Sequence, residues 1–422
     1  MVMRGVVLAL VVLLLTAAGT GAQPSIFAEG AAAGDVQADS AVIWTRTSGP
    51  AEVRVEFSTA PDFRSVQTSD STTTGPEGDY TAHVRLRDLP PGQRIYYRVT
   101  AASEAGPGGS FVTAPAPNRD AALALIWGAD TQEELRPFRI FQAMQRRAPD
   151  VFLYLGDTIY ADLGSVRATT LDAYRQKYRA NREDPHLRAF LSSTSSWVMW
   201  DDHEVANNFD SRHARLAVGR RAFLDYWPVH TPPGQPTRLY RSLRWGRGAE
   251  IFILDTRQYR SPSRAPDRAR STSIAGKTML GPEQKQWLID GLRRSDAAVK
   301  IIASSVVLRH HGADSWEGYP TERDEILQAV RDLRVANVFV LSADVHYAAW
   351  IRHPEGIFEA VSGPLAAARA TTARSSGRPG VLWTAADRFN YGWMRIAPDA
   401  VTLEWRDDGD ALLHQIRVTI TR

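Results

Sequence analysis

The sequence predicts an α/β domain preceded by a small all-β domain, and three observations carry that reading. Up to about residue 113, short alternating apolar runs are separated by clusters of Gly and Pro. Beyond residue 119, apolar strands alternate with helix-length amphipathic stretches. Those later strands repeatedly end in Asp or His, the position where open α/β sheets bind ligands. A length of 422 residues leaves room for two or three domains at roughly 150 residues each.

Composition narrows the function classes. With 44% apolar and 23% charged residues, the chain is neither collagen-like nor wholly disordered. Its 50 basic residues face 47 acidic ones, and Lys occurs only at 177, 277, 285 and 300. Arg is scattered among Asp and Glu, without the clustering of a nucleic-acid footprint. The absence of Cys excludes disulfides, thiolate zinc sites, Fe–S clusters and thiol nucleophiles. Ten His against 47 acidic residues make any metal site carboxylate-rich.

Residues 1–22 stand apart. Arg4 precedes an apolar run from Gly5 to Ala18, and Thr20-Gly21-Ala22 supplies small residues for cleavage. This is the grammar of a secretory signal, and it predicts a secreted or periplasmic mature protein. The alternative, a membrane anchor, is opposed by a run shorter than the ~20 residues that span a bilayer. No second run of spanning length follows.

The mature chain then divides into an N-terminal β-sandwich (23–114), a linker (115–119) and a catalytic domain (120–422). In the first, Ala41–Thr45, Val53–Phe57, His83–Leu86 and Tyr96–Thr100 predict the strands of a fibronectin-like sandwich. Pro115 and Pro117 mark the linker. In the last, the predicted strands are Ala122–Trp127, Val151–Leu155, Trp197–Trp200, Ile251–Leu254 and Val338–Leu341. Helices are predicted over Pro137–Arg147, Gly281–Arg294 and Thr321–Arg334.

The strand ends carry the chemistry. Asp130 and Asp157, each taken alone, would read as capping or turn residues. Asp201-Asp202-His203-Glu204 is different, because three carboxylates around one His repel one another unless a cation or basic side chains compensate. Asp344-Val345-His346 places two donors on one side of an extended segment. Four such strand ends in one domain point to a metal cluster. Two metals ~3.5–4 Å apart, bridged by a carboxylate, clamp a phosphoryl oxygen and activate water. Oxygen ligands suit Fe(3+), Ca(2+), Mg(2+) or Mn(2+), and His admits Zn(2+).

Gly-Asp-x-x-Tyr at 156–160, Trp-Asp-Asp-His-Glu at 200–204 with Asn207-Asn208, and Asp-Val-His at 344–346 follow one another in that order. This set resembles the calcineurin-like metallophosphoesterases. More closely it resembles PhoD-type alkaline phosphatases, a family that includes phospholipase D-like phosphodiesterases. Asp255 to Arg260, Met279-Leu280-Gly281, Trp316 to Pro320 and Trp44-Thr45-Arg46 extend the likeness over nearly the whole mature chain. The resemblance implies a four-layer αββα sandwich and a dinuclear or larger metal centre, Fe(3+) with Ca(2+). It also implies a phosphate-ester substrate. Within it, Asp157 corresponds to the bridging carboxylate, Tyr160 to a phenolate ligand, and Asp202, Asp344 and His346 to further ligands. His203 corresponds to the His beside the phosphate, placed to protonate the leaving oxygen.

The sequence departs from the family pattern in three places. Asp130 stands near the position of a ligating Cys and is assigned as a ligand in its stead. Ala343 replaces a Gly, and the twin-arginine export signal is missing. Around the core set, Trp316, Tyr319 and Arg323 are candidates to line the pocket, with Arg323 gripping phosphate, and His310-His311 are candidates to reach the second metal or substrate, with surface or packing roles as the alternative. Asp255 and Arg257 are expected to pair with each other. The function implied is a secreted phosphomonoesterase. A phosphodiesterase on the same site is the alternative, and a catalytically silent binding protein is the alternative of another class.

Overall fold

The computed structural model describes residues 26–101, 104–267 and 276–421; the expected export segment at 1–22 lies outside the described residues. Among these, two large sheets face each other. The first has nine strands in the order Leu412–Thr419, Ala400–Asp407, Asn390–Ile396, Leu123–Gly128, Val151–Leu155, Ser195–Met199, Ala31–Gly34, Ala41–Arg46 and Thr81–Leu86. The second has seven, in the order Arg241–Trp245, Ala249–Ile253, Val299–Ala303, Val338–Ser342, Phe358–Val361, Ala348–Arg352 and Val381–Ala385.

The layers follow from which faces are apolar. Val151–Leu155 (VFLYL) is buried on both faces, as expected of a central parallel strand. Its Val151, Leu153 and Leu155 meet Ile251, Ile253, Ile301 and Leu341 of the second sheet in one shared core. Its Phe152 and Tyr154 face the opposite way, into a core closed by helices Ile140–Arg146, Leu171–Arg182, Pro185–Ser193 and Leu216–Tyr226. Helices Gly281–Arg294 and Pro320–Asp332 cover the outer face of the second sheet through Leu288, Ile326 and Leu327. Helix, sheet, sheet and helix make the four layers that were expected. Local signals fix the helix starts: Asp184 caps the amides of His186 and Leu187 ahead of Pro185.

The N-terminal region is an all-β sandwich, as expected, but one of its two sheets is shared. Strands Glu52–Ser58, Arg94–Ala101 and Glu104–Val112, with the short Gln67–Thr68 and Thr72–Thr73 paired to Glu52–Ser58, form the separate sheet. They pack through Val53, Val55, Ile95 and Val99 onto Ala31, Ala33, Ile43 and Val84. Those latter residues belong to the end of the nine-stranded sheet, where Gly34 pairs in parallel with Ser196. On the other face, Trp44 donates its indole N–H to Asp225 O at 2.9 Å. The Arg182 guanidinium lies between the rings of Trp44 and Trp227, 4.2 and 4.1 Å from their centroids.

Candidate active site

Three parallel strands of the first sheet and one of the second deliver the acidic groups. Leu123–Gly128 leads to Asp130, Val151–Leu155 to Asp157, Ser195–Met199 to Asp201 and Asp202, and Val338–Ser342 to Asp344. The backbone is left-handed at Asp130 (φ 71°), Asp157 (φ 49°), Asp344 (φ 70°) and His346 (φ 59°). Non-Gly residues there are uncommon and cluster at functional sites. The left-handed turn corrects the expectation of an extended 344–346 segment with both donors on one side. Asp344 and His346 instead join different groups of candidate ligands.

Those groups share one member. Ligand atoms of Asp130, Asp157 and His346 lie within 4.8 Å of one another, as do those of Asp157, Asp202 and His203. The same holds for Asp157, Asp201, Asp202 and Asp344. The phenol of Tyr160 sits 3.2 Å from His346 Nε2. His346 Nδ1–H donates to Ala368 O, which leaves Nε2 free to act as a ligand.

The electrostatics of this cluster are unbalanced. Asp130 is fully buried, and neither of its carboxylate oxygens has a hydrogen-bond partner. Asp202 Oδ1 is likewise without one. Burial first, then repulsion from Asp201 and Asp202 against the pull of His346, raises the Asp130 carboxyl to about 6. Asp157 is raised for the same two reasons, burial and the crowd of neighbouring carboxylates. Leaving ionised carboxylates buried in this way costs several kcal/mol per ion. Hard-oxygen donors, a phenol and a correctly oriented His therefore fit a pair of cations, with Asp157 between them.

Glu204, the last member of the Asp-Asp-His-Glu run, and Asp162, which no sequence motif marked, hold the cluster in place. Glu204 is fully buried and accepts from the amides of Asp157 (3.1 Å) and Asp201 (2.8 Å) and from Thr158 Oγ1 (2.7 Å). Burial raises its carboxyl to about 7. Asp162 binds His203 Nδ1 at 2.5 Å and, through its other oxygen, the amide of Asn207 at 2.7 Å. Burial opposes the His203 imidazolium, but Asp202 and Asp162 outweigh it and raise it to about 9. The His203 ring stacks on Tyr160 with centroids 4.3 Å apart. Asp162 lies two residues past Tyr160, in a stretch with no strand or helix pattern to mark it.

Most of the remaining candidates go elsewhere. Of the His310-His311 pair, His311 does approach the cluster, with Nε2 3.7 Å from Asp344 Oδ2; burial, then Arg374, lowers its imidazolium. His310 Nε2–H donates to Pro379 O. Trp316 is buried and donates to Ser304 Oγ, and Arg323 pairs with Asp324. The structure does not bring these two side chains to the carboxylates. The expected Asp255–Arg257 ion pair does not form. Asp255 accepts from Trp200 Nε1, Gln258 and the Arg257 amide, while the Arg257 guanidinium reaches Asp201, at 2.5 and 2.9 Å, and Asp314, at 2.8 Å. The buried Asp201 and the half-buried Asp314 together attract the side chain more strongly than one neighbour already satisfied by N–H donors.

Fold and site together define a metallophosphoesterase-type phosphoric ester hydrolase, and the comparisons give it a family. Residues 125–405 match the PhoD-like phosphatase family, and residues 15–115 match the N-terminal domain of PhoD-like phosphatases. The chain belongs to the PhoD-like phosphatase family. It is 29% identical over 393 residues to alkaline phosphatase D of Bacillus subtilis (strain 168), covering 80% of this chain and 67% of that protein. Its fold matches the structure of PhoD with a TM-score of 0.83 at 23% identity, over 94% of this chain and 90% of that one. It also matches purple acid phosphatase PPD1 from yellow lupin (Lupinus luteus), with a TM-score of 0.67 at 15% identity, over 94% and 75%. Among the described residues no helix is long and apolar enough to cross a membrane.

Proposed function

We propose that this chain is an exported phosphomonoesterase whose metal centre pairs Fe(3+) with Ca(2+). The observation that carries the reading is Asp157, which belongs to all three groups of candidate ligands and so stands where a bridging carboxylate must. Asp130, Tyr160 and His346 would hold one cation, and Asp202 and Asp344 the other. When bound, two such cations polarise phosphoryl oxygens and lower the pKa of water. The chain's own contribution is positional. Asp162 holds Nδ1–H of His203, so that Nε2–H is presented to the leaving oxygen. The upward shift of the imidazolium keeps that proton in place at neutral pH. Tyr160 supports Fe(3+): burial and the nearby Asp130 and Asp157 raise its phenol well above the usual range, so only a strongly Lewis-acidic cation takes it as phenolate.

Preference for monoesters is supported by the name of the Bacillus relative, alkaline phosphatase D. Export is supported by residues 1–22. Three measurements test the parts separately. Rates on p-nitrophenyl phosphate and bis-p-nitrophenyl phosphate should favour the first; the reverse ratio turns the reading to a diesterase. Elemental analysis should find iron and calcium, with a visible phenolate-to-iron band that Tyr160→Phe abolishes. N-terminal sequencing of protein from the culture medium should begin near Gln23, and retention of the whole chain inside cells refutes export.

A further inference from the structure

Beside the carboxylate cluster, on the His311 side, lies an open cleft of about 360 Å³ lined by His310, His311, Gly312, Glu317, Arg374 and Arg378. Its floor is tied to the ligand strand. Ala373 packs with Val307, Val345 and Tyr347, and the Ala370 amide donates to His346 O at 3.2 Å. Turn hydrogen bonds from Ser376 N to Ala373 O and from Arg378 N to Ser375 O, each 3.0 Å, shape the wall. The bond from His310 Nε2–H to Pro379 O, 3.2 Å, closes it against the 310–312 turn.

The charge in this cleft is unusual for the molecule. Other guanidiniums beside the cluster, those of Arg257 and Arg260, are buried and each is paired with a carboxylate. Arg374 and Arg378 are exposed, and neither has a carboxylate within ion-pair distance among the described residues. The one acidic group in the cleft, Glu317, already accepts from the Gly312 amide at 2.7 Å. Two unpaired planar donors facing one engaged carboxylate leave a net positive pocket. Its inner end, His311, is 3.7 Å from Asp344. Guanidinium pairs of this kind bind phosphate or carboxylate oxygens in a bidentate fork.

We propose that Arg374 and Arg378 form a subsite for a second anionic group, so that the preferred substrates are phosphate esters whose leaving group itself carries a phosphate. The inference rests on the phosphomonoesterase reading. The second phosphate has two sources, a small bisphosphate or the next phosphodiester of a chain, and matched pairs separate them. Metal-loaded wild-type protein is compared on glucose 1,6-bisphosphate against glucose 6-phosphate, and on 5′-phosphorylated dithymidylate against thymidine 5′-phosphate.

In at least one pair the doubly anionic member should have a KM lower by about tenfold, a preference that shrinks with salt. Arg374→Gln with Arg378→Gln should bring that ratio to about one while the melting temperature stays put. A preference confined to the first pair supports the subsite and identifies a small bisphosphate; one confined to the second supports it and identifies a chain. No preference in either pair, or a ratio that survives the double substitution, overturns it. If the wild type hydrolyses none of the four, the monoesterase reading fails on its own account. The same ratios are then taken from Kd by calorimetry, and equal Kd values within both pairs overturn the subsite.

Discussion

Asp201 and Asp202 are neighbours in sequence and opposites in circumstance. Asp201 gives both oxygens to the buried Arg257 guanidinium and one also to Ser305 Oγ, at 2.5 Å. Around it, Arg257 and Arg260 divide Asp314 between them. On the other side, among the described residues, Asp130 has no hydrogen-bond partner for either carboxylate oxygen, Asp202 lacks one on Oδ1, and the Asp157 carboxylate accepts only from the His203 amide, at 3.1 Å. One half of the acidic cluster is neutralised by the chain itself. The other half meets only the far edge of the same guanidinium, with Arg257 Nη2 3.7 Å from Asp202 Oδ1 and 3.5 Å from Asp344 Oδ1, and most of its charge is left for bound cations to neutralise. The guanidiniums also confine the cations, because a carboxylate chelated by Arg has little left to offer a metal.

Substitutions on the two sides should therefore fail in different ways. Asp157→Asn removes the shared carboxylate and should lower phosphate-ester hydrolysis by at least ~10³-fold, several kcal/mol of transition-state stabilisation. Elemental analysis should show metal lost while circular dichroism is unchanged; retained activity would erase the distinction between the halves. Arg257→Leu should instead cost stability, about 3–5 kcal/mol by denaturant titration, because it strands the buried Asp201 and removes a partner of the half-buried Asp314. A cost under about 1 kcal/mol would show that the guanidinium is not what balances them.

A smaller effect is expected at the hinge between the halves. Asp162→Asn should lower kcat by roughly 10–100-fold with KM little changed. Because Asp162 helps to hold the His203 imidazolium up at about 9, its loss should move the basic limb of the kcat–pH profile to lower pH. An unshifted limb would mean that Asp162 only packs.

The smallest effect is on melting. Burial raises Asp130 from 3.8 to about 6 and Glu204 from 4.5 to about 7. A carboxyl raised in the folded state gives stability that is complete below its unfolded value and lost as pH rises through the folded one. Chelator-treated protein should thus lose stability between about pH 4 and pH 7. The melting-temperature gap between loaded and chelated protein should be wider at pH 8 than at pH 5, by a few degrees. A gap independent of pH would mean that the metal-free carboxylates do not strain the fold.

The sequence made the layered fold and the core of the site legible because both rest on local signals. Val151–Leu155 is a fully apolar run, and Asp157, Asp202 and Asp344 each follow such a run directly. What escaped depends on contacts that no local pattern encodes. Glu104–Val112 contains three Gly and a Pro, which hide its strand pattern. Yet Gly109 is required there, because a Cβ would lie 1.9 Å from Ser192 O. Gly392 weakens Asn390–Ile396 in the same way, since the Trp127 ring occupies the space of its Cβ. The partner of Arg257 is not legible locally, because Asp201 is 56 positions away, whereas Asp255, two positions away, is already satisfied by N–H donors. Arg323 and Trp316 read as pocket candidates from residue type, and packing turns both inward, Arg323 on helix Pro320–Asp332 and Trp316 in the turn Trp316–Gly318 before it.

The parallel pairing of Gly34 with Ser196 sets a timetable as well as a shape. During synthesis, strands Ala31–Gly34, Ala41–Arg46 and Thr81–Leu86 leave the ribosome first, and they can join the separate sheet of their sandwich early. The edge of Ala31–Gly34 nevertheless waits for Ser195–Met199, made about 160 residues later at roughly 5–20 residues per second. For that interval of roughly ten to thirty seconds an unpaired strand edge is on offer, a template for wrong partners as well as the right one. The shared sheet that stiffens the finished protein makes its assembly depend on the slowest kind of contact, one between distant parts of the chain.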